Sequence, residues 1–385
     1  MVVLIVCKPK ADVWAEIHLD RLESNIHAIR RLLPPDCAFM AVLKADGYGH
    51  GLLETARSAI MAGADALAVG ALKEALLLRG ASIRGPILVL TPCSPNEVDI
   101  AAENGISLPV VSEEWLREAK HCKTTRLPLR IHLKIDSGMG RFGIRDDREL
   151  RRMLTMLKVD DLIVEGIYTH LATANQADDS FVQEQFRRFS GLCSILRKAG
   201  FPHAVVHCAG SAAALRFPEL ALDMVRVGAS LFGIVPLDEG AEGPIGLRLA
   251  PTFSLHARIL QVKQIRKGES IGYDRTYTAT EEQWVATLPI GYAHGLSRRC
   301  SGMSALVDGQ WANLIGNICM NQCMVKLPSY YPVGTRVTLL GENGGKSITI
   351  DRMAVQIGTI SQEVLTSLGS RVPRMYVELM PYTGC

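Results

Sequence analysis

Between residues 14 and 233, short apolar runs alternate with amphipathic segments of helical length, and this constrains the fold more than anything else in the chain. Eight runs can be counted, at 39–45, 66–71, 87–91, 107–112, 129–136, 163–171, 205–211 and 224–228. Most are dominated by apolar residues; the fifth also carries polar ones. Helical patterns lie between them, at 52–62, 95–104, 113–121 and 181–199 among others. Before the first run, Asp20-Arg-Leu-Glu23 has the form of a capping box opening a helix to about residue 33. Eight strands separated by helices predict an α/β fold, a (β/α)8 TIM-like barrel.

The texture changes near residue 246. Runs of period two appear at 254–262, 284–289, 304–307 and 336–340, broken by glycine-rich turns. The expected division is a barrel over 14–245 followed by a mainly β C-terminal domain over 246–385, with residues 1–13 joining the latter as a strand. A chain of 385 residues is too long for one ordinary core, in keeping with two domains. The apolar Met1–Cys7 stretch lacks a basic leader and is too short to span a membrane, so it reads as strand.

Composition removes several function classes. A net charge of +3, with no basic run interleaved with aromatics, predicts no nucleic-acid partner and no membrane association. Ten cysteines include no C-x-x-C pair, and Cys319 and Cys323 lack a nearby histidine, so no metal site is expected. Scattered cysteines inside apolar stretches suit a reducing cytoplasm.

Chemistry in a barrel sits where strands end. The first strand delivers Lys44 directly before Ala-Asp-Gly47-Tyr48-Gly-His-Gly51. A desolvated lysine has a lowered pKa, and its neutral amine attacks carbonyls; a lysine snorkelling to solvent is the plainer alternative. The other strand ends supply Asp136 with Arg141, then His170, Ser211 and Arg226. Ser211 opens a helix, and Gly228 and Ala229 offer backbone N–H groups after the last strand, where barrels commonly bind phosphate. A phosphate at one end and a carbonyl for Lys44 at the other describe pyridoxal 5′-phosphate. Gly138-Met-Gly-Arg-Phe-Gly143 also fits the dinucleotide fingerprint. However, it follows the fifth strand, not a first one, and that strand carries His132, Lys134 and Asp136.

These residues resemble the alanine racemase family of pyridoxal-phosphate isomerases, along nearly the whole chain. The motifs are Ala41-Val-Leu-Lys-Ala-Asp-Gly-Tyr-Gly-His50, Asp136-Ser-Gly-Met-Gly-Arg-Phe-Gly143, Tyr168-Thr-His-Leu-Ala172, Met224-Val-Arg-Val-Gly228, Ile271-Gly-Tyr-Asp-Arg-Thr-Tyr277, Pro289-Ile-Gly-Tyr-Ala293, Cys319-Met-Asn-Gln322 and Arg371-Val-Pro-Arg374. The resemblance implies that Lys44 carries the cofactor and is one catalytic base, with Tyr273 from a second subunit as the other. It implies that Tyr48, Ser211, Gly228 and Ala229 hold the phosphate, and that Arg226 faces the pyridine nitrogen. A permanent cation there disfavours protonating the ring, which favours racemisation over transamination. A tyrosine of ordinary pKa near 10 is a poor base, so nearby cations must favour its phenolate or a histidine must accept its proton, with His170, Arg141 and Arg226 the candidates. Arg141 is expected on the pyridoxal hydroxyl and the substrate carboxylate, Met320 on the carboxylate through its backbone N–H, and Tyr292 at the entrance. Lys134 matches a lysine carbamylated in relatives; an unmodified lysine paired with Asp136 is the alternative.

The implied protein is a cytoplasmic homodimer with shared active sites, interconverting L- and D-alanine by two bases and supplying D-alanine for peptidoglycan. Serine is the alternative substrate, and a related decarboxylase or a non-catalytic pyridoxal-phosphate-binding protein would share the barrel. The chain departs from the family pattern at Asn321, His294 and Gly210, where the usual residues are Asp, Asp and Asn. It departs again at Ser370, where a tyrosine is common. These changes bear on efficiency and substrate range.

Overall fold

The structure is a computed structural model that describes residues 3–4, 11–158, 161–377 and 379–380. Its backbone falls into two units. One comprises residues 22–47 and 52–249, the other residues 1–21, 48–51 and 250–385.

The first unit contains eight parallel strands: Ala38–Val42, Ala66–Val69, Ile87–Val89, Leu108–Val110, Leu129–Lys134, Leu162–Tyr168, Val205–His207 and Met224–Val227. The last pairs with the first (Arg226 opposite Met40), which pairs with the second, which pairs with the third. The fourth to seventh form the other run of parallel pairs. Ser107 bridges to Leu88 between third and fourth, and Arg226 N donates to Ala209 O (2.9 Å) between eighth and seventh, which closes the barrel. Met40, Val42, Ala66, Ala68, Leu88 and Met224 form one of its buried clusters. The alanines of the second strand leave room there for the larger Met40, Leu88 and Met224 side chains.

The helices follow from amphipathic spacing and caps. In Asp147–Leu157, the Asp146 carboxylate accepts from Glu149 N (2.8 Å) at the N-terminus. Leu150, Met153 and Leu157 fall on one face and are buried. Each such side chain stabilises by about 1.5–3 kcal/mol, so Met153→Asp would dismantle this face. The helix after residue 18 spans Leu19–Arg30. Asp20 therefore lies inside its first turn and is not the cap of the expected box.

The second unit is built on an antiparallel sheet. Its path runs Gln261–Ile265, Gln283–Leu288, Cys323–Leu327, Gln310–Ile315, Ser304–Val307, Arg336–Asn343, Phe253–Arg258, Val13–His18 and Arg374–Val377; only the last pair is parallel. The expected strand at 254–262 is two strands, because the chain changes partners between Arg258 and Gln261: Ile259 N donates to Thr335 O (3.0 Å) and Leu260 N to Thr287 O (2.9 Å). The N-terminal strand in this sheet is Val13–His18, so the expected barrel start at 14 gives way to one past residue 21. Of the expected strand at 1–13, only Val3–Leu4 and residues 11–13 lie within the described residues; Val3–Leu4 pairs with Leu379–Met380. Among the described residues, no helix is long and apolar enough to cross a membrane.

Candidate active site

Lys44 stands two residues beyond the first barrel strand, at the start of a left-handed turn. Ala45 (φ 55°, ψ 52°), Asp46 (φ 57°, ψ 48°) and Gly47 (φ 61°, ψ 45°) all lie in the left-handed region. An L-residue there costs about 1–2 kcal/mol, so the turn must be held. Gly47 N donates to Leu43 O (2.8 Å) and Leu52 N donates to Asp46 Oδ1 (2.8 Å). Glu74, in helix Leu72–Gly80, accepts from Asp46 N (3.0 Å) and from Gly70 N (2.8 Å). At Gly47 a Cβ would sit 2.6 Å from Thr55 Oγ1, so only glycine fits. Lys44 remains accessible, yet the surrounding protein and then the Arg141 guanidinium lower its ammonium pKa, with Glu74 opposing.

Arg226, on the last strand, is 5% exposed. It donates to Thr169 O (2.7 Å), packs against His207 Nδ1 (3.1 Å) and His170 Nδ1 (3.4 Å), and lies over the Tyr168 ring. Lys134 is buried beside it, and burial first, then Arg226, pulls its ammonium down to about 7, with Asp136 offsetting part. The expected Lys134–Asp136 pair does not form. Lys134 Nζ donates to Ile135 O (2.7 Å), while Asp136 Oδ1 accepts from Gly138 N (3.2 Å) and Gly140 N (2.9 Å). Those amides belong to the glycine fingerprint. Its loop folds back on its own strand, with Ile144 bridging Ile135, and the next helix begins only at Asp147. A dinucleotide nest at a helix start is therefore not formed.

Burial, then Arg226 and Lys134, lower His170 to about 3. It is a neutral imidazole that holds a proton poorly, so the burden of favouring a tyrosinate shifts to the cations. Ser211 opens helix Ser211–Arg216, and its Oγ accepts from Gly228 N (3.0 Å) and Ser230 N (3.4 Å), tying the two last strand ends together. Among the described residues, the buried Tyr168 hydroxyl and Ser230 Oγ have no hydrogen-bond partner.

The remaining expected residues belong to the second unit. Tyr292 N donates to Cys319 O (3.1 Å) and Ala293 N to Met320 O (2.9 Å), which sets Tyr292 beside Met320. A Cβ at Gly291 would lie 2.1 Å from Cys319 O, so this approach requires glycine. The end of helix Ser361–Gly369 presses equally closely on the Tyr48–Gly51 segment, where a Gly369 Cβ would lie 2.0 Å from Gly49 O. Ser370 is the residue that follows this contact in the chain. Burial pushes the Tyr48 phenol up to about 12, so it stays a donor. Tyr273 follows Gly272 in a turn whose backbone is pinned, since Asn317 Nδ2 donates to Tyr273 O (3.1 Å). Its side chain stands out, and the residue is 70% exposed.

Within the barrel unit, then, Lys44, Lys134, Arg141, His170, Ser211 and Arg226 gather at the strand ends, while Tyr273, Tyr292 and Met320 lie on the other unit. Asp46, Glu74, Tyr168, His132 and His207 also support the site and were missed in the sequence. Only the two histidines carried a signal, as polar side chains in or at the end of buried strands.

The sequence profile of the alanine racemase N-terminal domain matches residues 17–236, and that of the C-terminal domain matches residues 252–376. The alanine racemase of Geobacillus stearothermophilus is 43% identical over 366 residues, covering 95% of this chain and 93% of that protein. The crystal structure of alanine racemase from Bacillus anthracis with bound L-Ala-P superposes with a TM-score of 0.90 at 38% identity, covering 97% of this chain and 96% of that one. That of E. faecalis gives 0.91 at 34% identity, covering 97% and 100%. The chain belongs to the alanine racemase family, whose members depend on pyridoxal 5′-phosphate.

Proposed function

We propose that the protein is an alanine racemase, a cytoplasmic homodimer that interconverts L- and D-alanine and supplies the D-isomer for the cell wall. The carrying observation is the charge balance at the barrel mouth. Lys44, Lys134, Arg141 and Arg226 gather there, and the nearby Asp136 carboxylate is already engaged by backbone amides. Such a site is built for an anionic ligand, and pyridoxal phosphate with an amino-acid carboxylate fits it. The partnerless Tyr168 hydroxyl and Ser230 Oγ fit the same conclusion, being buried polar atoms that a ligand can satisfy.

On this reading Lys44 holds the cofactor, Tyr48, Ser211 and the backbone of Gly228 and Ala229 hold its phosphate, and His170 packs against it. Bound there, the cofactor supplies an electron sink that acidifies the substrate's Cα–H. Arg226 faces the pyridine nitrogen. Burial lowers its guanidinium from the ordinary value, but from so high a start it stays charged and keeps a proton off that nitrogen. Arg141 and the Met320 N–H orient the substrate carboxylate, and Tyr292 lines the entrance. Lys44 Nζ moves the proton at one face of Cα. The Tyr273 hydroxyl of a second copy moves it at the other, which suits an exposed ring on a pinned turn. Lys134, with a large free-base fraction near pH 7, takes up carbon dioxide. Its nitrogen bonds the carbon, a proton leaves, and the carbamate anion orients Arg141. The unpaired cysteines among the described residues agree with a reducing cytoplasm.

The test is D-alanine formation from L-alanine by purified protein, followed by borohydride fixation and complementation. Fixation should label the peptide of Lys44. Lys44→Ala and Tyr273→Phe chains should each be inactive, and mixing them should restore activity, because one site of each mixed dimer is intact. Absence of turnover refutes the reaction, label on another lysine refutes the cofactor assignment, and mixed dimers without activity refute the shared site.

A further inference from the structure

From Arg226 on the eighth barrel strand, a row of side chains runs to the seventh, fifth and sixth strands. Arg226 Nη1 lies 3.1 Å from His207 Nδ1, His207 Nε2 lies 3.0 Å from His132 Nδ1, and His132 Nε2 stands 3.8 Å from Glu165 Oε2. Both histidines are buried, and the His207 ring stacks on Tyr168 with centroids 5.0 Å apart. Glu165 also accepts from Arg130 and from the Ser107 hydroxyl.

Hydrogen-bond logic fixes every proton in this row. A guanidinium only donates, so His207 Nδ1 must be a bare acceptor. A neutral His207 then carries its proton on Nε2 and donates it to His132 Nδ1. His132 in turn carries its own proton on Nε2, directed at the carboxylate. The distance there exceeds a hydrogen bond, and the anion acts by its field, which favours the N–H end over the lone pair. The donor-only arginine and the acceptor-only carboxylate thus demand the same pair of tautomers from opposite ends. Burial opposes the charge of Glu165, yet its interactions with His132, Ser107 and Arg130 outweigh that and hold the carboxyl pKa down at about 2.

We infer that Glu165 is a positioning residue for Arg226, acting through His132 and His207 held in single, matched tautomers. It rests on the reading above for what Arg226 faces, but the tautomers themselves do not. Glu165 sets which way the two rings point their protons, and so fixes the guanidinium that the reaction uses.

Glu165→Gln tests this with nearly unchanged shape. The amide oxygen is drawn to Arg130, which turns the NH2 group toward His132 Nε2 and opposes the tautomer that Arg226 demands. Nitrogen-15 NMR of histidine-labelled holoprotein distinguishes the ring nitrogens. In the parent, His207 should show bare Nδ1 and protonated Nε2, and His132 the same. In Glu165→Gln both should become mixtures, and kcat/KM should fall about tenfold, as when an outer partner of a functional histidine is lost. Ser107→Ala, which strips a neighbour from Glu165 but leaves its charge, should keep the single tautomers. Other tautomers in the parent, single tautomers persisting in Glu165→Gln, or equal mixing in Ser107→Ala would each overturn the proposal. So would mixed tautomers with kcat/KM unchanged. A parent without racemase activity would sink the functional reading alone, since the NMR result still decides the relay.

Discussion

Ala45→Gly should stabilise the protein, the reverse of what glycine does in ordinary secondary structure. Ala45 sits at φ 55° and ψ 52° with its side chain exposed, so little packing is lost by removing its methyl group. The left-handed conformation costs alanine about 1–2 kcal/mol and glycine almost nothing. Against that stands the greater freedom of glycine in the unfolded chain, about 0.4–1 kcal/mol. The net expectation is roughly 0.5–1 kcal/mol in favour of the variant, or a rise in Tm of about 1–4 °C for a unit of this size. Asp46→Gly gives the internal control. It relieves the same strain but removes the acceptor of Leu52 N, worth about 0.5–1.5 kcal/mol, and should come out near neutral or slightly destabilised. Thermal and denaturant unfolding with unchanged m-value read the difference. Because the turn carries Lys44, the stabilised variant should also lose kcat, the relaxed backbone holding the amine less firmly. An Ala45→Gly protein destabilised by about 0.5–1 kcal/mol, the usual penalty of an interior glycine, would refute the strain argument.

Ser370 leaves a short hydroxyl where an aromatic ring is common, and an apolar methyl pocket rejects an added hydroxyl only weakly. Measurable serine racemisation is expected with alanine preferred, and Ser370→Tyr should lower the serine-to-alanine ratio of kcat/KM several-fold, for a hydrogen bond of roughly 1 kcal/mol; an unchanged or higher ratio overturns this. For Lys134, burial and Arg226 hold the ammonium at about 7 against an ordinary 10.5, so between those values the unfolded chain binds more protons than the native one. In carbon-dioxide-free buffer, unfolding free energy should therefore rise with pH across that window, by at most about 1.4 kcal/mol per pH unit. Lys134→Met should remove that contribution, and an unaltered slope would refute it.

The barrel was legible because short, mainly apolar runs alternate with helical patterns, and eight such strands leave few closed architectures. The site was legible to the extent that strand ends are chemical positions: Lys44, His170 and Arg226 could be found by where apolar runs stop. The left-handed turn was not. Ala45 and Asp46 carry no mark of positive φ, and the forces that hold them there come from Glu74, twenty-eight residues on from Asp46. The break between Arg258 and Gln261 was hidden for a related reason, since it is a change of partner to Thr335 and Thr287, which lie far along the chain. His132 was visible as a polar intruder in its strand, but its partner His207 lies 75 residues away, and no local pattern couples them.

The same electrostatics explain why this barrel tolerates what other cores avoid. Burying Arg226 and Lys134 together costs solvation that one engaged carboxylate does not offset, and the depressed Lys134 ammonium records that imbalance. Glu165 compensates from two imidazole rings away, while at the strand ends Glu74 and Asp136 are already engaged by backbone amides. An anionic ligand bound at that mouth therefore completes the electrostatics of the fold. The unfavourable field of the free protein becomes binding energy for phosphate and carboxylate, so the residues that weaken the barrel on its own are those that select its ligand.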